Sequence, residues 1–273
     1  LFRPRDNARR LNVSAERMMM PSFPEDVFME GLTKLIEIDS KWVPNVPNSA
    51  LYIRPYMFAT DAYIGVKPSD SYTFCIFCCP VGPYYNKALK VKIEQDYSRA
   101  VRGGTGYAKC AGNYAAALKP TALAQKEGFD QILWTDAIEH KYIEETGTTN
   151  IFLVFNGKIV TPEKSDTLLQ GITRDSVIQI SKDMGLSVEE RKISLDELVE
   201  AQKNGTLDEI FISGTAAAIL NIDEFGFKGE RFAVSADGPN KISARIKQHL
   251  FEIREGSISD MHEWRLKITH SSD

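Results

Sequence analysis

Apolar residues recur at helical spacing over residues 25–41, where Val27, Phe28, Leu32, Leu35, Ile36 and Ile38 predict a helix. The pattern then changes. Leu51-Tyr52-Ile53-Arg54-Pro55 and Tyr72 to Cys79 are rich in aromatic and β-branched residues and predict strands, the second a buried one. Val81-Gly82-Pro83-Tyr84-Tyr85-Asn86 has loop chemistry and is expected to join two domains. A strand follows over Lys90 to Gln95, and Asn113 opens an alanine-rich helix that Pro120 is expected to kink or restart. Gln131 to Trp134 reads as a short strand. Asn156-Gly157 between the apolar runs Ile151–Phe155 and Lys158–Val160 predicts a type I′ hairpin, since both turn residues need positive φ.

Further on, a helix is expected over Asp175 to Met184, closed by Gly185 as the C′ residue. Ser194-Leu195-Asp196-Glu197 is a capping box that opens a helix to about Lys203. Glu209 to Ile212 predicts a strand ending in Ser213-Gly214-Thr215-Ala216, and a last helix covers about Lys241 to Arg254. The opening Leu1-Phe2-Arg3-Pro4-Arg5 reads as the end of a strand or a turn; it lacks a methionine, so residues are expected to have preceded it. Two α+β domains follow from this mixture, and ligand sites often lie where two domains meet.

At 273 residues the chain can bury about 75% of its unfolded surface and needs no disulfide or metal staple. A net charge of -4 without a basic stripe argues against nucleic acid or an anionic membrane as the main partner. No apolar run reaches the roughly 18 residues a membrane helix needs, and no signal-peptide pattern opens the chain. Cys75, Cys78, Cys79 and Cys110 give no second ligand pair for metal, and the histidines lack ligand spacing to them. A reducing, cytoplasmic setting is expected.

The stretch Gly103-Gly104-Thr105-Gly106-Tyr107-Ala108-Lys109 crowds glycines before a lysine. It is no P-loop, because Ala108 stands where the second glycine belongs and Cys110 follows the lysine; the dinucleotide pattern fails at Lys109. Two readings stay open on the loop alone: a solvated surface lysine, or an amine nucleophile aided by Arg99 and Arg102.

The later motifs point one way. Glu145-Thr146-Gly147-Thr148-Thr149-Asn150-Ile151-Phe152, then Ile159-Val160-Thr161, then Leu169-Gln170-Gly171-Ile172-Thr173-Arg174 resemble, in order and spacing, the signature of class IV (fold-type IV) pyridoxal-phosphate enzymes. With Leu51 to Pro55, Gly65-Val66-Lys67, Pro80 to Tyr84, Gly103 to Gly106, Gly112-Asn113-Tyr114, Ile132-Leu133-Trp134 and Ser213 to Ala216, the whole chain resembles the branched-chain amino acid aminotransferases. That resemblance implies an α+β, two-domain fold: a small α/β domain over 1–83, an interdomain loop over 84–94, and a larger pseudo-barrel α/β domain over 95–273. It also implies opening strands of the small domain, and an aromatic cover for the substrate, that would precede Leu1.

The activity implied is transfer of the amino group of L-leucine, L-isoleucine or L-valine to 2-oxoglutarate, with pyridoxal 5′-phosphate as cofactor and a homodimer as the assembly. The resemblance assigns roles too. Lys109 would form the Schiff base and move the proton; Glu145 would face the pyridine nitrogen, chosen over Glu144 by motif spacing; Tyr114 would bond the cofactor phenolate. Arg10, Ile172, Thr173 and Thr215 would hold the phosphate, with Arg99 nearby. Tyr52 and Arg54, alternate on one strand and so on one face, would flank the substrate carboxylate with Thr148, Thr215 and Ala216, and Val66 would reach a partner subunit's pocket. The family's thiol pair after the Gly-Thr-Ala turn is replaced by Ala217 to Leu220, so no thiol switch is expected. D-amino acid aminotransferases and aminodeoxychorismate lyases share the fold and are the alternative enzymes; a non-catalytic relative is the alternative of another class.

Overall fold

The computed structural model describes residues 1–46, 49–82, 87–216, 218–235, 238 and 240–268. The chain divides into two compact units, one of residues 1–84 with 256–273 and one of residues 85–255. Residues 256–273 thus cluster with the first unit, where the sequence had placed them in the large domain.

The first unit contains helices α1 (Pro4–Arg17) and α2 (Glu25–Asp39), a 3-10 turn at Ser40–Trp42, and an antiparallel hairpin of β1 (Ala50–Ala59) and β2 (Tyr72–Val81). Helix α1 replaces the strand end or turn expected at the opening; only a single bridge, Phe2 to Arg265, precedes it. Its start signals are there, Pro4 in the first turn and Asp6 beside it. Its buried residues are the small Ala8, Ser14 and Ala15, so no large apolar stripe reveals it. In α2 the buried face is Phe28, Met29, Leu32 and Ile36, while Val27 and Ile38 are exposed.

That face packs against Leu51, Ile53, Phe74, Ile76 and Cys78 on one side of the hairpin. The other side carries Tyr56, Phe58 and Phe77, all exposed. Strand β2 is therefore half-buried rather than buried, because helices cover only one face of a sheet whose side chains alternate. Its cysteines are free thiols, and no group of three or more potential metal ligands occurs among the described residues.

The second unit begins with β3 (Leu89–Ile93), inside the expected interdomain loop, whose residues 84–86 lie outside the described residues. Then come α3 (Ala111–Lys126), β4 (Gln131–Thr135), β5 (Ile143–Thr146), β6 (Thr149–Phe155), β7 (Lys158–Thr161), α4 (Ile172–Asp183), β8 (Val188–Glu190), α5 (Leu195–Asn204), β9 (Leu207–Gly214), β10 (Ala218–Phe227), β11 (Glu230–Ala233) and α6 (Ile242–Glu255). The strand path β10-β3-β4-β5-β6 is completed by β9, which pairs with both β6 and β10, so the sheet closes on itself as a barrel. Val91, Leu133, Ile151, Leu153, Ile210, Ile212 and Phe225 belong to the buried core around it.

Local chemistry explains several joins. Asn156 and Gly157 have φ of 46° and 76°, the expected I′ geometry. Ser194 Oγ accepts the Glu197 N–H at 3.1 Å, which seats α5 as the capping box implies. Two expectations change. Helix α3 neither waits for Asn113 nor restarts at Pro120: it runs from Ala111 through a buried Pro120, carried by alanines of high helix propensity and packed through Ala117 and Ala124 against Phe129, Ile132 and Trp134. Helix α4 begins at Ile172, three residues before the expected Asp175, which places its first turn on the site motif.

Candidate functional site

The lysine loop is fixed from two directions. Asn113, on the first turn of α3, donates to the Thr105 and Ala108 carbonyls at 2.8 Å each and accepts from Thr105 Oγ1 at 3.0 Å. From the other direction Gly103 N donates to Asp166 Oδ2 at 2.7 Å and Tyr107 N to the Asp166 carbonyl at 3.1 Å. Lys109 emerges from this clamp exposed, its Nζ 2.6 Å from Tyr114 Oη one helical turn on. The five-residue separation in sequence is thus a direct amine–phenol contact.

Glu145 and Glu144 are neighbours on β5, so they project to opposite faces. Glu145 is 2% exposed and ion-paired with Arg99 Nε; Asn150 Nδ2, opposite it on β6, donates to its Oε2 at 3.2 Å. Arg99 also donates to the Gly106 carbonyl at 3.2 Å and the Thr167 carbonyl at 2.7 Å. One buried guanidinium therefore joins the lysine loop, the 162–169 loop and the carboxylate. Burial pushes the Glu145 carboxyl up to about 7, against the opposing pull of Arg99.

The anion-binding elements converge on the same sheet end. Helix α4 opens at Gly171 with no side-chain cap, and Thr173 is buried in its first turn, where the amides and the dipole of a helix start favour an anion. A Cβ at Gly171 would collide with Asn150 Oδ1, so glycine lets the helix start approach β6. Asn150 Nδ2 also donates to the Leu169 carbonyl at 2.9 Å, and Arg174 is anchored to the Pro162 carbonyl at 2.7 Å and Glu190 at 2.9 Å. Register pairs Asn150 with Ser213, which brings the exposed Thr215-Ala216 turn after β9 to the end of β6. Thr148 is exposed in the turn between β5 and β6.

Thus Arg99, Lys109, Tyr114, Glu145, Thr148, Ile172, Thr173, Thr215 and Ala216 all lie in the second unit, tied by Arg99, Asn113 and Asn150. Asn113 and Asn150 received no role in the sequence reading; both stand inside the quoted motifs, but only the fold shows what they hold. In the first unit, Arg10 bonds Asn7 Oδ1 at 2.9 Å within α1. Tyr52 and Arg54 do share a face of β1, Arg54 Nη2 lying 3.3 Å from Tyr52 Oη. Val66 is fully exposed. Ala217, the first of the positions where the thiol pair would stand, lies outside the described residues.

A cavity of about 300 Å³, lined by Ala100, Arg102, Glu144, Asp166, Thr167 and Lys192 among others, opens on the Glu144 face of β5. Lys109, Tyr114 and Glu145 are not among its lining residues.

The donor set fits pyridoxal 5′-phosphate: an exposed amine against a phenol, a buried carboxylate paired with a cation for a ring nitrogen, and a helix start without a side-chain cap for a phosphate. The family described as Amino-transferase class IV matches residues 1–225. The chain is 43% identical over 271 residues to Bacillus subtilis (strain 168) branched-chain-amino-acid aminotransferase 2, covering 98% of this chain and 75% of that one. Its structure resembles the Escherichia coli branched-chain amino acid aminotransferase, with a TM-score of 0.81 at 27% identity over 98% of this chain and 84% of the other. It also resembles the branched-chain aminotransferase of the thermophilic archaeon Thermoproteus uzoniensis with norvaline, with a TM-score of 0.78 at 25% identity over 92% of this chain and 79% of the other.

Proposed function

Because the chain belongs to the class IV aminotransferases, we propose that its site residues divide the work of amino-group transfer between amino acids and 2-oxo acids. The chain is a pyridoxal-phosphate-dependent branched-chain amino acid transaminase. It moves the amino group of L-leucine, L-isoleucine or L-valine to 2-oxoglutarate, giving branched-chain 2-oxo acids and L-glutamate. Both half-reactions use one site, so the kinetics are ping-pong.

Bound pyridoxal 5′-phosphate supplies an aldehyde that takes up the amine and a cationic ring that accepts the electron pair left at the substrate Cα. Lys109 Nζ would hold the cofactor through its amine and would carry the proton at the substrate Cα. Tyr114 contacts that amine through its hydroxyl, which would also bond the cofactor's ring oxygen. Glu145, kept in place by Arg99 and Asn150, stabilises a protonated ring nitrogen. The amides at Ile172 and Thr173, with Thr215, would hold the phosphate; for Arg10 the sequence resemblance alone supports the same role. Thr148 and the Thr215-Ala216 backbone would receive the substrate carboxylate; for Tyr52 and Arg54, which share a face of β1, the sequence resemblance supports the same role, Arg54 by a charge-assisted bond. A cytoplasmic homodimer, with Val66 at the partner's pocket, completes the reading; among the described residues no helix is long and apolar enough to cross a membrane.

The observation that carries these roles is the Arg99 bridge between the loop of Lys109 and the carboxylate of Glu145. The test is Lys109→Ala beside wild type, followed by visible absorbance with pyridoxal phosphate and by glutamate formation from leucine and 2-oxoglutarate. Loss of both is expected. A variant that keeps the absorbance and the turnover would make Lys109 a surface lysine and end this assignment.

A further inference from the structure

The mechanism leaves the buried acid beside Glu145 unused. Glu144 is 8% exposed. Its Oε1 accepts from Thr167 Oγ1 at 2.6 Å, and its Oε2 is buried without a hydrogen-bond partner among the described residues. Thr167 Oγ1 is in turn 2.8 Å from Ser165 Oγ. The carbonyl of the same Thr167 accepts from Arg99 Nη1 at 2.7 Å, and Arg99 Nε pairs with Glu145. Thr167, on the 162–169 loop, thus meets Glu144 through its hydroxyl and Arg99 through its carbonyl, and Arg99 meets Glu145.

We propose that Glu144 is a positioning residue for transamination: held by Thr167, whose carbonyl anchors Arg99, it lies next to Glu145 in the chain, and its charge sets how readily Glu145 ionises. This rests on Glu145 serving the cofactor nitrogen as argued above. Arg99 pairs with Glu145 directly, and Glu144 is the neighbouring buried carboxyl. The charge of each therefore opposes ionisation of the other, and their titrations are coupled.

The surroundings agree. Burial is the largest influence on Glu144 and pushes it up to about 7; the Thr167 hydroxyl and Arg99 pull it down, while Asp136 and Asp166 push it up. Arg102, Glu139, Glu163 and Lys192 line the cavity on that side. For Glu145, after burial and Arg99, the charge of Glu144 raises the carboxyl further, and a backbone bond from Leu169 lowers it. A neutral Glu144 spares Glu145 that repulsion; an ionised one makes Glu145 hold its proton more tightly.

Glu144→Gln keeps the acceptor for Thr167 and removes the charge. In cofactor-loaded enzyme, the acid limb of the visible-absorbance titration, and that of kcat/KM against pH, should both move down by on the order of one pH unit. Thr167→Val keeps the carbonyl for Arg99 but removes the bond that favours ionised Glu144, and should move both limbs the same way by less. It carries the test if Glu144→Gln fails to fold. Limbs that coincide with wild type in the folded variants, or that move up, overturn the proposal. Glu145→Gln separates the two readings: if it leaves both profiles like wild type, the role of Glu145 fails instead.

Discussion

At the scale of single residues, charge and contact outweigh position in the sequence. Lys109 would be indistinguishable from other surface lysines without Tyr114 Oη at 2.6 Å. Removing that hydroxyl in Tyr114→Phe leaves the amine without its neighbour, and a lower kcat with folding unchanged is expected from steady-state kinetics beside a thermal melt. Glu145→Gln keeps size and most hydrogen bonding but removes the negative charge that faces the ring nitrogen. Turnover should fall on the order of 100-fold, the cost typical of losing one preorganised electrostatic partner, and the visible spectrum of the bound cofactor should change with it.

Among the elements, the joins are the vulnerable points. Gly106 lies where a Cβ would come within 2.6 Å of both Ala100 Cβ and the Thr167 carbonyl, so the loop and the strap at 162–169 touch through bare backbone. Gly106→Ala should force them apart, lowering stability by about 1–3 kcal/mol and weakening cofactor retention, measured by denaturant unfolding and by absorbance after dialysis. Glu209 is a different kind of join. It is buried on β9 and accepts from Ile242 N at 2.7 Å, Ser243 N at 3.1 Å and Ser243 Oγ at 2.6 Å, capping α6 from another element. Glu209→Ala strands those donors and should cost about 2–4 kcal/mol by denaturant unfolding, with the cofactor spectrum of the remaining folded protein unaltered.

For the molecule as a whole, the buried pair on β5 gives stability a pH dependence. Glu144 and Glu145 are each raised from 4.5 to about 7 in the folded state. Between those values the folded chain binds more protons than the unfolded one, so this contribution is complete below about 4.5 and is lost as pH rises through about 7. Asp136 works in the other direction at lower pH. Burial opposes its ionisation, yet N–H groups of Tyr142, Glu139, Lys141 and Ile138 bond it and hold it below 3.8, so its contribution is lost only on acidification past that value. The melting temperature of the cofactor-free protein should therefore fall from pH 5 to pH 7.5, and fall less in Glu144→Gln; a variant curve parallel to wild type would contradict the assignment of the slope to this pair.

The sequence by itself determined what local chemistry and motif spacing control. The Asn156-Gly157 turn, the Ser194 capping box and the helix of Phe28, Leu32 and Ile36 are settled within a few neighbouring residues, through positive φ, a hydroxyl cap or an apolar period; the Glu145-to-Arg174 signature was legible as a family resemblance. Tertiary structure decided the rest. Helix α1 buries only small side chains, so its apolar pattern is faint, and α3 passes Pro120 because packing on β4 compensates for a missing N–H. Strands β10 and β11 meet at Lys228-Gly229, whose positive φ values form a turn without the Asn-Gly signal. The Arg99 bridge spans 46 positions to Glu145 and 68 to Thr167, and the face on which each of two adjacent glutamates lies depends on the register of β5. Such contacts are set by tertiary packing, because only the folded chain brings the lysine loop, the 162–169 loop and β5 to one cation, as it brings β9 beside both β6 and β10.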